Sequence, residues 1–206
     1  MLFKILSLIS IFVMMLALRT LVEVFPSLMA CLIRAKESIN LEASAQLSRG
    51  RNVLSFCLVL PFCLVVWQKG LYTASFMDGL GENLRLGVIV GIFLTFVLLR
   101  MMLERIMRPK AVNNKTYATV CKTDRTFFSL LTLILLAMGG IMAVLNTPAD
   151  VVTSAMLWVS AAIYLIYLLR KVQILISSAS FFTAFLYLCA LELIPTGAIV
   201  ASAIIF

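Results

Sequence analysis

Six runs of nearly uncharged, mostly apolar residues recur along this 206-residue chain, at 2–18, 53–68, 84–103, 127–145, 151–169 and 179–200. A run of about twenty such residues matches the roughly 30 Å hydrocarbon thickness of a bilayer when coiled as a helix. With 63% hydrophobic and only 13% charged residues, a water-soluble fold would have nowhere to bury them all. The runs are continuous rather than alternating, which favours helices over a barrel, and in lipid each helix satisfies its own backbone. The sequence therefore predicts an all-α polytopic membrane protein: one integral domain over 1–206, built as a bundle of six transmembrane helices. The first run has Lys4 ahead of it, as in a secretory signal. No small-residue cleavage pattern follows, however, and Arg19 stands directly after the apolar stretch, so a first span is expected.

Between the first two runs the pattern changes. Phe25, Leu28, Met29, Leu32 and Ile33 recur at the spacing of one helical face, with Arg34, Lys36, Glu37 and Glu42 among and after them. This predicts a cytoplasmic amphipathic helix over about 25–47, lying on the membrane surface with Pro26 near its first turn, or docked on the protein's own helices or a partner. Fourteen of the seventeen Lys and Arg fall in the connections after the first, third and fifth runs; only Lys4, Lys69 and Arg85 fall on the other side. The positive-inside rule then puts those connections in the cytoplasm of a bacterial inner membrane and both termini outside. The basic stretch 100–125 reads as a topology anchor beside acidic lipid, or a place for a protein partner. It carries no interleaved aromatics for stacking bases, so no nucleic acid is expected.

Asn-Thr-Pro-Ala-Asp at 146–150 predicts a tight turn that makes the fourth and fifth spans antiparallel neighbours, and Gly139-Gly140 predicts close approach of a helix. The absence of histidine excludes histidine-ligated haem, most zinc sites and Ser-His or Cys-His catalysis. Cys31, Cys57, Cys63, Cys121 and Cys189 form no paired spacing and read as free thiols. Asp78, Asp124 and Asp150 are scattered over different connections, so no divalent-metal motif forms. No catalytic residue, metal or cofactor is expected.

One ionisable group interrupts the last run. Glu192 costs at least about 2.5–3.5 kcal/mol near a bilayer centre unless it has a partner, a proton or a water-filled cavity. Pro195 cannot donate to the carbonyl of Leu191 and predicts a kink there. On a regular helix Phe185, Leu188, Cys189, Glu192 and Thr196 share one stripe. Counting from Ser178, Glu192 lies about 21 Å along the last helix, in the outer half, where Arg85 is the basic side chain expected to pair with it. A neutral Glu192 bonded to a carbonyl or a tyrosine, and a transport role, are the other readings.

The run from Phe182 to Pro195, and within it Tyr187-Leu188-Cys189-x-Leu191-Glu192-x-x-Pro195, resembles the ending of an uncharacterised family of small multi-pass inner-membrane proteins from Bacteroidetes, a domain of unknown function. The similarity in layout extends over most of the chain. It implies a membrane location and draws attention to Tyr187, Cys189, Glu192 and Pro195, but implies no activity. The sequence thus points to a non-catalytic structural or accessory component of a membrane assembly, with a small carrier or proton-linked permease using Glu192 as the alternative.

Overall fold

A computed structural model describes residues 2–72, 79, 81–107, 114–177 and 180–205. Asp78, Arg108, Lys110 and Ser178 lie outside the described residues. The elements are α1 (Leu2–Ile33), α2 (Ala35–Ala43), α3 (Ala45–Cys57), α4 (Val59–Gln68), α5 (Glu82–Ile106), α6 (Asn114–Val144), α7 (Ala149–Ile176), α8 (Phe181–Leu188), a π-helical segment (Cys189–Leu193) and α9 (Ile194–Ile205). Six helical stretches among them are long and apolar enough to cross a membrane, and the protein is an all-α polytopic bundle.

Several boundaries move, each for a local reason. The first span does not stop at Leu18: α1 continues through Pro26 to Ile33, about 48 Å at 1.5 Å per residue. The stripe from Phe25 to Ile33 is therefore not a surface helix but the end of α1, with Leu28 and Cys31 fully buried against Leu54, Leu58 and Leu130. Of the expected amphipathic helix only α2 is separate. It folds onto the bundle, burying Ser38 and Leu41, because Arg34 and Ser44 on either side are extended. Ser44 then caps α3, accepting from the Leu47 N–H at 3.5 Å. α3 and α4 form one span, Ala45–Gln68, broken at Leu58, where Pro61 has no N–H for the carbonyl of Cys57.

The ends of α4 and α6 use the same device. Gly70 (φ 59) and Asn146 (φ 49) adopt the left-handed conformation, and the next residues turn back, Leu71 N–H donating to Val66 and Thr147 N–H to Met142. Each helix is thereby closed on its own last carbonyls. The 146–150 turn joins α6 to α7, which pack along their lengths; Thr153 of α7 donates to the carbonyl of Lys69 at 3.0 Å, holding this end of the bundle together. A Cβ on Gly139 would meet Met156 at 3.2 Å, while one on Gly140 would meet nothing, so only the first glycine serves the α6–α7 approach.

At the opposite, basic end the C-terminal ends of α1, α5 and α7 come together. Arg170 of α7 donates to the carbonyls of Leu32 (2.8 Å) and Ile33 (2.6 Å), capping the C-terminus of α1. Glu42 of α2 pairs with Arg51 of α3 at 3.1 Å and with Lys122 of α6. α6 presents Thr119, Thr123, Thr126, Ser129 and Thr132 inward, all buried. Thr123, Ser129 and Thr132 each donate to the carbonyl four residues back, which lets small polar side chains line a tight helix interface without stranded hydroxyls.

Candidate functional site

The charge cluster forms where the apolar parts of α5, α6 and α7 give way to charge. Arg100 ends the apolar stretch of α5, Asp124 precedes that of α6, and Lys171 follows that of α7. Antiparallel neighbours bring those three positions to one level, and the last helix adds Glu192. Lys171 Nζ lies 2.6 Å from Asp124 Oδ1 and 2.5 Å from Glu192 Oε1. The Arg100 guanidinium lies 2.8 Å from Asp124 Oδ2, pairs with Glu192 Oε1, and approaches Glu104 at 3.6 Å. Arg100 also donates to the Tyr167 hydroxyl, which donates in turn to Asp124 at 2.7 Å. The Tyr167 ring carries both cations on its face, Lys171 at 5.1 Å and Arg100 at 5.7 Å from the centroid.

Glu192 and Lys171 are each 1% exposed. Two cations against two carboxylates, with Arg100 and Asp124 only 15% and 18% exposed and a hydroxyl in support, is the arrangement in which ions drawn out of water hold each other. Each charge comes from a different element, so the cluster ties α5, α6, α7 and the last helix at one point.

The expected pairing of Glu192 with Arg85 does not form. Arg85 lies in the first turn of α5, about 22 Å of helix rise from Arg100, at the other end of the bundle, whereas Glu192 bonds Arg100 and Lys171. Nor does Glu192 lie toward the Arg85 end of the bundle. The Tyr164 hydroxyl donates to its backbone carbonyl at 3.2 Å, and its carboxyl sits level with the charges that end the apolar spans on the basic side. The estimate from Ser178 fails because α8 follows the part of α7 beyond those charges: Ala184, Tyr187 and Leu191 pack on Ile174, Leu175 and Val120.

Pro195 acts as expected in freeing a carbonyl, but the result is a widened turn rather than a simple kink. Cys189–Leu193 is π-helical, with the Ile194 N–H donating to the carbonyl of Cys189. The extra residue in the turn shifts the phase of the helix, so the stripe through Phe185 and Glu192 is split: Phe185 is 49% exposed while Glu192 is buried. Tyr187 packs edge-on against Tyr117 at 6.0 Å, away from the carboxyl, and Cys189 is a half-buried free thiol. Among the described residues no group of three or more His, Cys, Asp or Glu converges as a metal site.

Arg100, Asp124, Tyr164, Tyr167 and Lys171 are the cluster members that sequence reasoning missed. The available signal was positional: Arg100, Asp124 and Lys171 each flank a span at the same end as predicted by the alternating topology.

The model of a family described as a domain of unknown function, DUF4271, matches residues 3–202. The chain belongs to this family. Comparison with the curated proteins and with the solved structures finds no match. The DUF4271 match spans all six candidate membrane helices, so the charge cluster lies within the region the family describes.

Proposed function

We propose that this DUF4271 protein is a non-catalytic structural or accessory component of a bacterial inner-membrane assembly, in which the Arg100–Asp124–Lys171–Glu192 cluster is a fastening rather than a transport site. The observation that carries this reading is the sealing of Glu192. Its carboxyl is 1% exposed and held by two cations, and it does not line the large cavity beside it. A coupling carboxyl in a carrier needs access to water from one side and then the other. The basic end would face the cytoplasm, where lipid headgroups and a protein partner can meet the exposed side chains of Lys36, Arg49, Arg105 and Arg125.

A small carrier or proton-linked permease is the second reading. It is favoured by the π turn at Glu192, a feature that often marks functional sites, and by the cavity reaching Arg100 and Asp124. Reaction of the purified protein with a hydrophobic carbodiimide separates the two. A fastening leaves Glu192 unmodified across the pH range in which the protein stays folded; pH-dependent modification of Glu192 in the folded protein sinks the accessory reading in favour of the carrier.

A further inference from the structure

Beside the charge cluster, between α4, α5, α6, α7 and α9, lies a cavity of about 410 Å³. Its volume falls in the range of roughly 300–1,000 Å³ usual for small-molecule sites. The part of α5 that walls it, from Ile89 to Arg100, rises roughly 16 Å. Aromatic rings make up much of the wall. Phe62, Phe93 and Phe128 touch one another along its length, with centroids 5.2 to 5.5 Å apart. Phe96 stands one turn from Arg100 on α5 and Phe127 one turn from Asp124 on α6, so with Tyr164 and Tyr167 they flank the space next to the cluster. Tyr72 lies at the far end, beyond the C-terminus of α4.

The hydroxyls beside the cluster are already bonded. Thr196 bonds Tyr164, which donates to the carbonyl of Glu192. Ser160 donates to the carbonyl of Met156 at 2.8 Å, and Tyr167 accepts from Arg100 and donates to Asp124. The guanidinium that lines the cavity is different. Through one terminal nitrogen Arg100 holds Asp124, Glu192 and Tyr167, but its Nε is buried without a hydrogen-bond partner, 3.6 Å from Glu104 Oε1. A buried N–H with no acceptor is costly, so a ligand that brings an acceptor to it is stabilised there.

Charge selects the kind of acceptor. Arg100 and Lys171 already face three carboxylates, those of Glu104, Asp124 and Glu192. A further anion would add to that excess in a site drawn out of water, and a cation would lie against the guanidinium. An uncharged carbonyl accepts from Nε and meets neither repulsion. The walls select its frame, because flat conjugated rings pair with aromatic side chains offset or edge-on. We infer that the cavity is the binding site of a prenylquinone. One ring carbonyl accepts from Arg100 Nε, the ring lies among Phe96, Phe127 and the two tyrosines, and the tail runs outward past Phe62, Phe93 and Phe128. This goes beyond the accessory role and stands whether or not that role holds.

The test uses the full chain in lipid nanodiscs and a photoreactive azido-naphthoquinone with a short prenyl tail. The probe labels the α5 and α6 walls saturably, and a menaquinone of four prenyl units displaces it several-fold better than palmitate, hexadecylamine or hexadecanol does. Phe96→Leu, which keeps an apolar side chain but removes the ring, and Ile92→Trp, which narrows the cavity without touching a polar group, each lower that labelling about tenfold. Size exclusion checks that both variants fold, and the competition series on the unaltered protein needs neither of them. Displacement by palmitate or hexadecylamine as strong as by the menaquinone overturns the inference in favour of a charged head. Equal displacement by hexadecanol overturns it as well, since neither ring nor carbonyl is then recognised. So does labelling that survives either substitution in folded protein, or that fails to saturate and matches the exposed face of α1 around Phe12 and Leu16, which leaves only bulk lipid in a gap.

Discussion

Lys171 Nζ and Glu192 Oε1 approach to 2.5 Å across the α7–last helix interface, both side chains 1% exposed. Removing one member of such a pair strands the other charge. Lys171→Ala is expected to destabilise the protein by about 3–5 kcal/mol, the range for a broken buried pair, seen as a fall in the temperature at which the detergent-solubilised protein leaves the monodisperse peak. The exchange Lys171→Glu with Glu192→Lys should recover part of that loss over either single change. The exchange Arg85→Glu with Glu192→Arg should recover none, and recovery there would contradict the geometry.

The backbone of α3 passes close to α1 at Gly50. A Cβ there would meet Val24 Cγ2 at 2.8 Å and Thr20 Cγ2 at 3.2 Å, and a valine methyl on a helix has little room to turn away. Gly50→Ala should therefore destabilise by about 1–3 kcal/mol despite its better helix propensity. Val24→Ala in the same chain should relieve the clash. Gly140→Ala, with nothing within reach, should be neutral or stabilising by up to about 1 kcal/mol. Thermal unfolding of these three variants beside the unaltered protein gives the comparison.

The spans were legible because length and apolarity alone decide whether a helix fits a bilayer, and the turn at 146–150 because Asn146 and Pro148 fix its chemistry locally. Glu192 was legible as an anomaly for the same reason. Its partners were not, because a carboxyl's depth depends on where its helix packs, and α8 packs along the part of α7 beyond Lys171. A residue count from Ser178 cannot supply that offset. Pro195 signalled a disturbed turn without distinguishing a kink from a π turn, and the phase shift that follows decides which neighbours Glu192 has. The fate of 25–47 was hidden too: an apolar stripe reads alike whether it meets lipid or Leu54 and Leu58.

Arg170 forks onto the last carbonyls of α1, at Leu32 and Ile33, where a cation also meets the negative end of the helix. Arg170→Ala should loosen the α1–α2 junction by about 1.5–3 kcal/mol, the range for hydrogen bonds to a charged group. The readout is faster amide exchange over residues 30–43 with little change in α9. Arg170→Lys keeps the charge but not the fork and should fall between. Equal exchange in all three proteins would mean that the cap contributes nothing.

The C-terminal ends of α1, α5 and α7 lie at one end of the bundle, which gives the orientation a sharp consequence. If the positive-inside rule governs this chain, Lys36 lies in the cytoplasm and Asp150, exposed in the first turn of α7, lies outside. In a variant with the native cysteines replaced by serine or alanine, Asp150→Cys should react in intact spheroplasts with a membrane-impermeant maleimide. Lys36→Cys should react only after the membrane is opened. The two positions sit at opposite ends of the same bundle, so one reversal requires the other: an accessible Lys36→Cys with a protected Asp150→Cys would invert the assignment and move the charge cluster to the outer face. Labelling of both in intact spheroplasts would instead contradict the six-span topology, since three spans, an odd number, lie between Lys36 and Asp150 and put them on opposite sides.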